Sequence, residues 1–454
     1  MFINYKDYEQ RRFINLEIKK ERRELDRLDA SSFDRIYDGL FRNNESSITR
    51  AIENLTTFAK QGDFKLFFNK KSFIVNDLLE IYNEDNFFLP DILYFLKWFV
   101  KFMDKDSVDI ILTANFIDFL RDVYKHPKDH YCQYQILMIY SLLMDKSLVI
   151  MKQYFSDNFE TILINLYNKN ISNIEEDGAI IMKPILRVLT CFLKNTRMVF
   201  NYNRELLEKA KMMVFNLINV NNDDILIECL KCINEGTLND DISDVLFFYY
   251  DRYFKRFNEL CQSTNHKIRL NMFSILSHFC ILEKDTISRF LNSGFFDLEI
   301  NICHLTEEER IQILIFLFNL AQFDDEFAHN VINTKLFNSF IQNVELLSFK
   351  GKEVLSQLLS KILHYHSLTN ELLQQCPFLI QFLIDELPSL QPFCQLFIIN
   401  ALQLFVDFNL NNEIKDQIYE CALHDILINI IHSDSSGYSL VLSAKKLYSV
   451  LFSN

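Results

Sequence analysis

The sequence predicts an all-α chain of stacked helical repeats, and three observations carry that expectation. The 454 residues include only 7 glycines and 6 prolines, too little turn chemistry for a sandwich or barrel of this length. Hydrophobic residues make up 49% and charged residues 24%, enough apolar material for a large core. A short pattern also recurs: an apolar helix, a polar pair or triplet, a bulky or small apolar residue, then a second amphipathic helix. It is legible in Ile110 to Tyr124, Tyr154 to Tyr167, Arg289 to Ile302, Val331 to Val344 and Ile418 to Ile431.

The first apolar residue after each polar break gives a register mark: Phe73, Phe116, Phe159, Ala210, Tyr253, Phe295, Leu336, Pro377 and Ala422. These marks are separated by 43, 43, 51, 43, 42, 41, 41 and 45 residues. After each second helix comes a longer and more apolar third, as in Ile92 to Met103, Gln135 to Met144, Ile225 to Ile233 and Val354 to Tyr365. Three helices in roughly 42 residues is the period of armadillo arrays, with HEAT pairs the nearest competitor. The short first helix and apolar third favour a right-handed armadillo-repeat solenoid of about nine three-helix repeats. No unit buries its third helix alone, so neighbours must stack. The longest step places extra polar residues at Asn168 to Gly178, which reads as a mobile surface loop. The 44 phenylalanines are expected to fill the core.

Composition also narrows the function. The seven glycines stand isolated at 39, 62, 178, 236, 294, 351 and 437, so neither a dinucleotide fingerprint nor a phosphate-cradling loop can be drawn. A net charge of -14 and a pI near 5.3 argue against direct nucleic-acid binding through the whole surface. Ten scattered cysteines lie mostly in apolar stretches and suit reduced, packed thiols. The N-terminus reaches Lys6, Asp7, Glu9, Arg11 and Arg12 without an apolar core, unlike a secretory leader. Pro90, Asp91, Lys97 and Lys101 interrupt the strongest apolar run, Phe87 to Met103, so no membrane span is expected. The chain reads as soluble and intracellular.

Sites for chemistry are weak. Cys229 and Cys232 form a C-x-x-C inside an apolar helix with no second pair to complete a zinc site, and read as buried thiols. His364 and His366, two apart, point to different sides of a helix. The Glu307-Glu308-Glu309 and Asp240-Asp241 clusters fall at helix starts, where they complement the macrodipole. No catalytic residue, metal or cofactor is expected, and the chain reads as a non-enzyme.

One segment departs from the acidic average. Arg11 to Arg27 carries net +3, leaving -17 for the rest, and Lys19, Arg23 and Arg27 would share one stripe of a helix. Residues 1–45 are therefore set apart as a basic helical arm from a solenoid over 46–454, and are expected to stay undocked in the free chain. The run Leu16-Glu17-Ile18-Lys19-Lys20-Glu21-Arg22-Arg23-Glu24, preceded by Arg11-Arg12, resembles the importin-beta-binding segment of the importin alpha family. Asn234-Glu235-Gly236-Thr237, Phe318-Asn319-Leu320-Ala321, Val331 to Phe337 and Ala51 to Phe73 resemble family segments in the same order.

The resemblance implies a nuclear import adaptor that shuttles between cytoplasm and nucleus. Arg11, Arg12, Lys19, Lys20, Arg22, Arg23 and Arg27 would bind an importin-beta-type carrier, and the concave groove would take protein cargo with a basic signal. In the family a Trp-x-x-x-Asn pair on most third helices lines that groove. Here Trp98 lies near the first such position and Asn319 fills another, with Ile315 where its Trp would stand. Counting seventeen residues back from each mark finds Leu142, Leu193, Gly236, His278, Ser360 and Phe405 at the remaining Asn positions, with Cys232 as a local alternative to Gly236. Loss of several amide bonds at about 1 kcal/mol each predicts weak binding of a basic signal. The alternative reading is an armadillo protein-interaction scaffold without such binding.

Overall fold

The computed structural model describes residues 30–42, 44–61, 73–84, 86–147, 149–151, 159–174, 178–199, 204–237, 252–280, 284–409, 418, 421–433 and 437–452, and among these there is no strand. The chain divides into two compact units, 1–201 and 202–454. The first holds α1 (Ala30–Tyr37), α2 (Glu45–Gln61), α3 (Ile74–Glu84), α4 (Leu89–Phe102), α5 (Lys105–Ile111), α6 (Ala114–Lys125), α7 (His130–Lys146), α8 (Phe159–Ile171) and α9 (Gly178–Val199). Its long helices α2, α4, α7 and α9 pack each on the next. The shorter α5 and α6 complete a three-helix repeat with α7, the armadillo arrangement the spacing predicts.

The second unit holds α10 (Arg204–Asn216), α11 (Asp223–Thr237), a helical stretch at 252–261, and α12 (His266–Phe279). It continues with α13 (Lys284–Asn292), α14 (Glu307–Ala321), α15 (Asp325–Ile332), α16 (Lys335–Gln342), α17 (Phe349–Leu363), α18 (Thr369–Gln375), α19 (Leu379–Glu386), α20 (Pro392–Asn409), α21 (Leu423–His432) and α22 (Tyr438–Phe452). Here α11, α12, α14, α17, α20 and α22 form the ladder of neighbouring long helices. All nine third helices expected from the sequence are present, and α2 adds a layer ahead of them.

Two of the polar breaks that mark the repeats are helix N-caps, whereas the helices at Phe295, Pro377 and Ala422 have no side-chain cap. Thr113 accepts from Phe116 N at the start of α6, and Thr334 from Phe337 N at the start of α16. Asp104, Asp129, Asp324 and Ser348 cap α5, α7, α15 and α17 in the same way. Each satisfies a backbone N–H that would otherwise lack a partner, at about 1 kcal/mol per cap. The apolar mark is buried at Phe116, Ala210, Tyr253, Phe295 and Leu336, whereas Phe73, in the turn before α3, is 68% exposed and Pro377 and Ala422 are exposed too. Phenylalanine fills the core as expected, with Phe33, Phe58, Phe95, Phe116, Phe257 and Phe273 fully buried.

Three expectations are corrected. Residues 30–41, grouped with the undocked arm, carry a docked helix: Phe33 and Leu40 are buried, Phe33 meets Phe58 edge-on at 5.5 Å, and the Tyr37 hydroxyl donates to Asp77. Apolar side chains at 33, 37 and 40 give this stretch a face that the charged residues before it lack. The expected loop from Asn168 is helical to Ile171, with Asn170 buried and its amide donating to Leu166 O at 2.7 Å. At the start of α9 the Gly178 N–H donates to Asn173 O at 3.0 Å, and a Cβ on Gly178 would collide with Asn170 O and stand 2.7 Å from Asn173 O.

The third correction concerns Glu309, read as one of three carboxylates complementing the macrodipole of α14. It is fully buried, closes a capping box with Thr306, and pairs with Arg269 of α12 at 2.7 Å. Its charge therefore ties one layer to the next. The Asp240-Asp241 pair lies outside the described residues.

Candidate functional site

Each long helix buries most of its circumference and leaves one stripe open. On α4 the buried set is Leu89, Ile92, Leu93, Phe95, Leu96, Phe99 and Val100. The open stripe is Tyr94, Lys97, Trp98, Lys101 and Phe102, spaced three and four apart as one helix face requires. Trp98, the chain's single tryptophan, is thus placed half-buried on the exposed face of the layer stack. It stacks on Phe102 at 5.9 Å and 17° and meets Tyr94 edge-on at 6.5 Å.

Lysines surround it. Lys101 Nζ lies 4.5 Å from the Trp98 ring centroid, Lys60 Nζ of α2 5.0 Å, and Lys97 Nζ 5.7 Å. Lys60 and Lys97 also sit 4.8 and 4.7 Å from the Tyr94 ring, and Lys60 donates to the Tyr94 hydroxyl at 3.0 Å. Tyr134, at the start of α7, lies 5.7 Å from Lys97 Nζ. Each such contact contributes about 0.5–1 kcal/mol at an exposed site. Just beyond, Lys146 Nζ of α7 donates to Val100 O, Lys101 O and Met103 O at 2.6, 2.8 and 2.5 Å, capping the C-terminus of α4. Burial lowers the Lys146 pKa, against the opposing charges of Asp145 and Asp104.

The second unit presents a different open stripe. Asn319 and Ile315 of α14 are half-buried on it, but the Asn319 amide donates to Ser277 O of α12 at 3.1 Å, and Gln312 Nε2 to Ser277 Oγ at 2.9 Å. One layer earlier, Asn234 Oδ1 of α11 accepts from Ser274 Oγ at 3.0 Å and His278 Nδ1 at 3.1 Å. Burial lowers the His278 pKa, opposed by the nearby charge of Glu235. Further on, Phe318 of α14, His364 at the end of α17 and Phe397 of α20 form an aromatic cluster, with Phe397 at 6.4 Å from Phe318 and 5.5 Å from His364.

Three of the amide positions counted back from the register marks miss the open face of their helix. Leu193, Cys232 and Ser360 are buried, because loop lengths vary and a slip of one residue rotates a position by about 100°. Asn195 is half-buried on α9 of the first unit, and Asn234 half-buried on α11 of the second. The Asn195 amide donates to Cys191 O of its own helix at 3.0 Å. Counting within each helix, rather than from the next repeat, would have found them. The lysine–aromatic face was missed too: Lys97 and Lys101 registered only as interruptions of an apolar run, although Tyr94-x-x-Lys97-Trp98-x-x-Lys101-Phe102 alternates cation and ring on one face.

The remaining readings resolve simply. Arg11, Arg12, Lys19, Lys20, Arg22, Arg23 and Arg27 lie outside the described residues. Cys229 and Cys232 are buried in α11, where Cys229 donates to Val214 O and burial raises its thiol pKa. Cys303 is exposed. Among the described residues no three His, Cys, Asp or Glu side chains converge as metal ligands, and no helix is long and apolar enough to cross a membrane.

No protein-family profile matches the chain and no curated protein is similar to it. Solved structures do match. An engineered protein from the Northeast Structural Genomics Consortium is 12% identical, covering 92% of this chain and 98% of its own, with a TM-score of 0.68. A designed armadillo repeat protein in complex with the peptide (KR)4 is 9% identical over 63% of this chain and 98% of its own, with a TM-score of 0.40. At 12% identity the first likeness is one of fold alone, and the chain's own helices, packed three to a repeat as in α5, α6 and α7, make that fold an all-α, armadillo-like stack of helical repeats.

Proposed function

We propose that the chain is a polypeptide-binding repeat scaffold that works by recognition rather than by covalent chemistry. The observation that carries this reading is the open stripe of α4, where Tyr94, Lys97, Trp98, Lys101 and Phe102 face outward with Lys60 of α2 and Tyr134 of α7 beside them. Successive packed helices stand about 8–10 Å apart, and an extended chain advances about 3.3 Å per residue. Each layer therefore meets about every third residue of a strand laid across it, alternating pocket and backbone contacts. Thiols such as Cys229 and Cys280, raised by burial, are poor nucleophiles.

The finer reading, an import adaptor shuttling between cytoplasm and nucleus, rests on the basic stretch 11–27 and its resemblance to an importin-beta-binding segment. Two features of the open face weigh against a basic signal as cargo. Lysines ring Trp98, where a lysine-rich peptide meets repulsion, and the Asn319 amide already donates to Ser277 O. Calorimetric titration of the full chain with importin beta and with a basic import signal at physiological salt tests both. The scaffold reading expects the signal to bind no better than roughly tens of micromolar. Submicromolar binding of the signal, with carrier binding lost in Lys19→Glu combined with Arg23→Glu, would establish the adaptor instead.

A further inference from the structure

Lys60, Lys97 and Lys101 bring three ammonium groups within 5.7 Å of one indole ring. Like charges this close repel, and among the described residues neither Lys60 nor Lys101 meets a carboxylate within ion-pair distance. The rings hold them: Tyr94 and Trp98 present faces whose quadrupole attracts cations, and the Tyr94 hydroxyl fixes Lys60. The indole Nε1–H is buried without an acceptor among the described residues, leaving a donor unmatched at the centre of the cluster. On a chain of net charge -14, this is a local concentration of positive charge mounted on rigid helices.

We infer that this face binds an extended acidic polypeptide, its carboxylates reaching Lys60, Lys97 and Lys101 as it crosses α2, α4 and α7. The inference rests on the polypeptide-binding reading above and names its partner's chemistry. Charge complementarity selects an anion, and two further features select a peptide over nucleic acid. Lysine ammonium groups lie over the Trp98 and Tyr94 ring faces, so a base finds no clear ring to stack on. Screening confines attraction to about 8 Å at physiological salt, so a few carboxylates feel the lysines, while a long polyanion also meets the acidic remainder of the chain.

Trp98, as the chain's only tryptophan, reports this site directly. The full chain is titrated with fluorescein-labelled glutamate–glycine, lysine–glycine and glutamine–glycine peptides and with oligothymidylate. Peptide anisotropy reads binding anywhere, and Trp98 emission, followed with unlabelled copies, reads binding here. The expected result is a saturable Trp98 response to the glutamate peptide alone, weakened by salt. Lys60→Glu combined with Lys101→Glu should weaken it at least about tenfold and make the lysine peptide bind. The milder Lys60→Gln with Lys101→Gln should weaken it less, with helicity by circular dichroism kept in both variants.

An unchanged response in the charge variants, or a stronger response to oligothymidylate, overturns the inference. Binding of the glutamate peptide by anisotropy without a Trp98 response also overturns it, yet leaves the polypeptide-binding reading standing. Absence of either signal for every peptide removes both.

Discussion

The open stripes of the two units start from the same helix geometry and end with opposite chemistry. Along α4 the side chains turn outward and interact among themselves, cation over ring, so that their charge faces solvent. Along α11, α12 and α14 they reach sideways: Asn319 and Gln312 to Ser277, Ser274 and His278 to Asn234. A polar residue at a ladder position therefore becomes a binding group or a strut, depending on whether its reach matches the neighbouring helix. Short amides and hydroxyls beside a carbonyl are absorbed into the stack; long lysine stems over aromatic rings are not.

The largest test of that contrast is the buried pair in the second unit. Glu309→Ala leaves Arg269 with 13% side-chain exposure and no carboxylate, and should cost about 3–5 kcal/mol. Urea unfolding followed by circular dichroism should show the loss, while Trp98 emission, confined to the first unit, should shift much less; equal shifts would show that the pair stabilises both alike. Next is Gly178→Ala in the first unit, where the added methyl meets two backbone carbonyls. It should cost about 1–3 kcal/mol, read as an earlier Trp98 transition.

Asn319→Ala should cost only about 1 kcal/mol and leave peptide binding at Trp98 untouched. A binding defect there would mean that the strut also serves recognition. The smallest effect is on pH dependence. Burial keeps the His278 pKa below its ordinary 6.5, so the unfolded chain takes up this proton first. The stability associated with neutral His278 is present above pH 6.5 and is lost as pH falls below it. His278→Gln should flatten that part of the thermal-melt profile relative to wild type.

Helix positions were legible in the sequence because caps and apolar spacing are local signals: Thr113 and Thr334 stand immediately ahead of their helices. What reached across layers was not. The Thr306-x-x-Glu309 spacing marks Glu309 as the capping-box partner of its helix, but nothing near it announces its burial, which follows from Arg269, forty residues earlier. The docking of α1 was hidden for the same reason, since Phe33 finds Phe58 only after folding. At the candidate site Trp98 was singled out, but its lysine collar was not, because one member comes from α2. Lys97 and Lys101 were within reach of helix-face counting, as were Asn195 and Asn234.

Phe318 and Phe397 come from α14 and α20, two layers apart, yet their rings meet at 6.4 Å with His364 of α17 beside Phe397. Two helix spacings amount to roughly 16–20 Å, so both side chains must lean inward to span the gap. A stack of this kind behaves as a spring, lengthening when its layers fan apart. Here a contact bypasses one coil, and fanning must first part a ring pair worth about 0.5–1.5 kcal/mol. Under tension this stretch should yield later than one linked only layer by layer, making it a stiff segment against which softer neighbours extend.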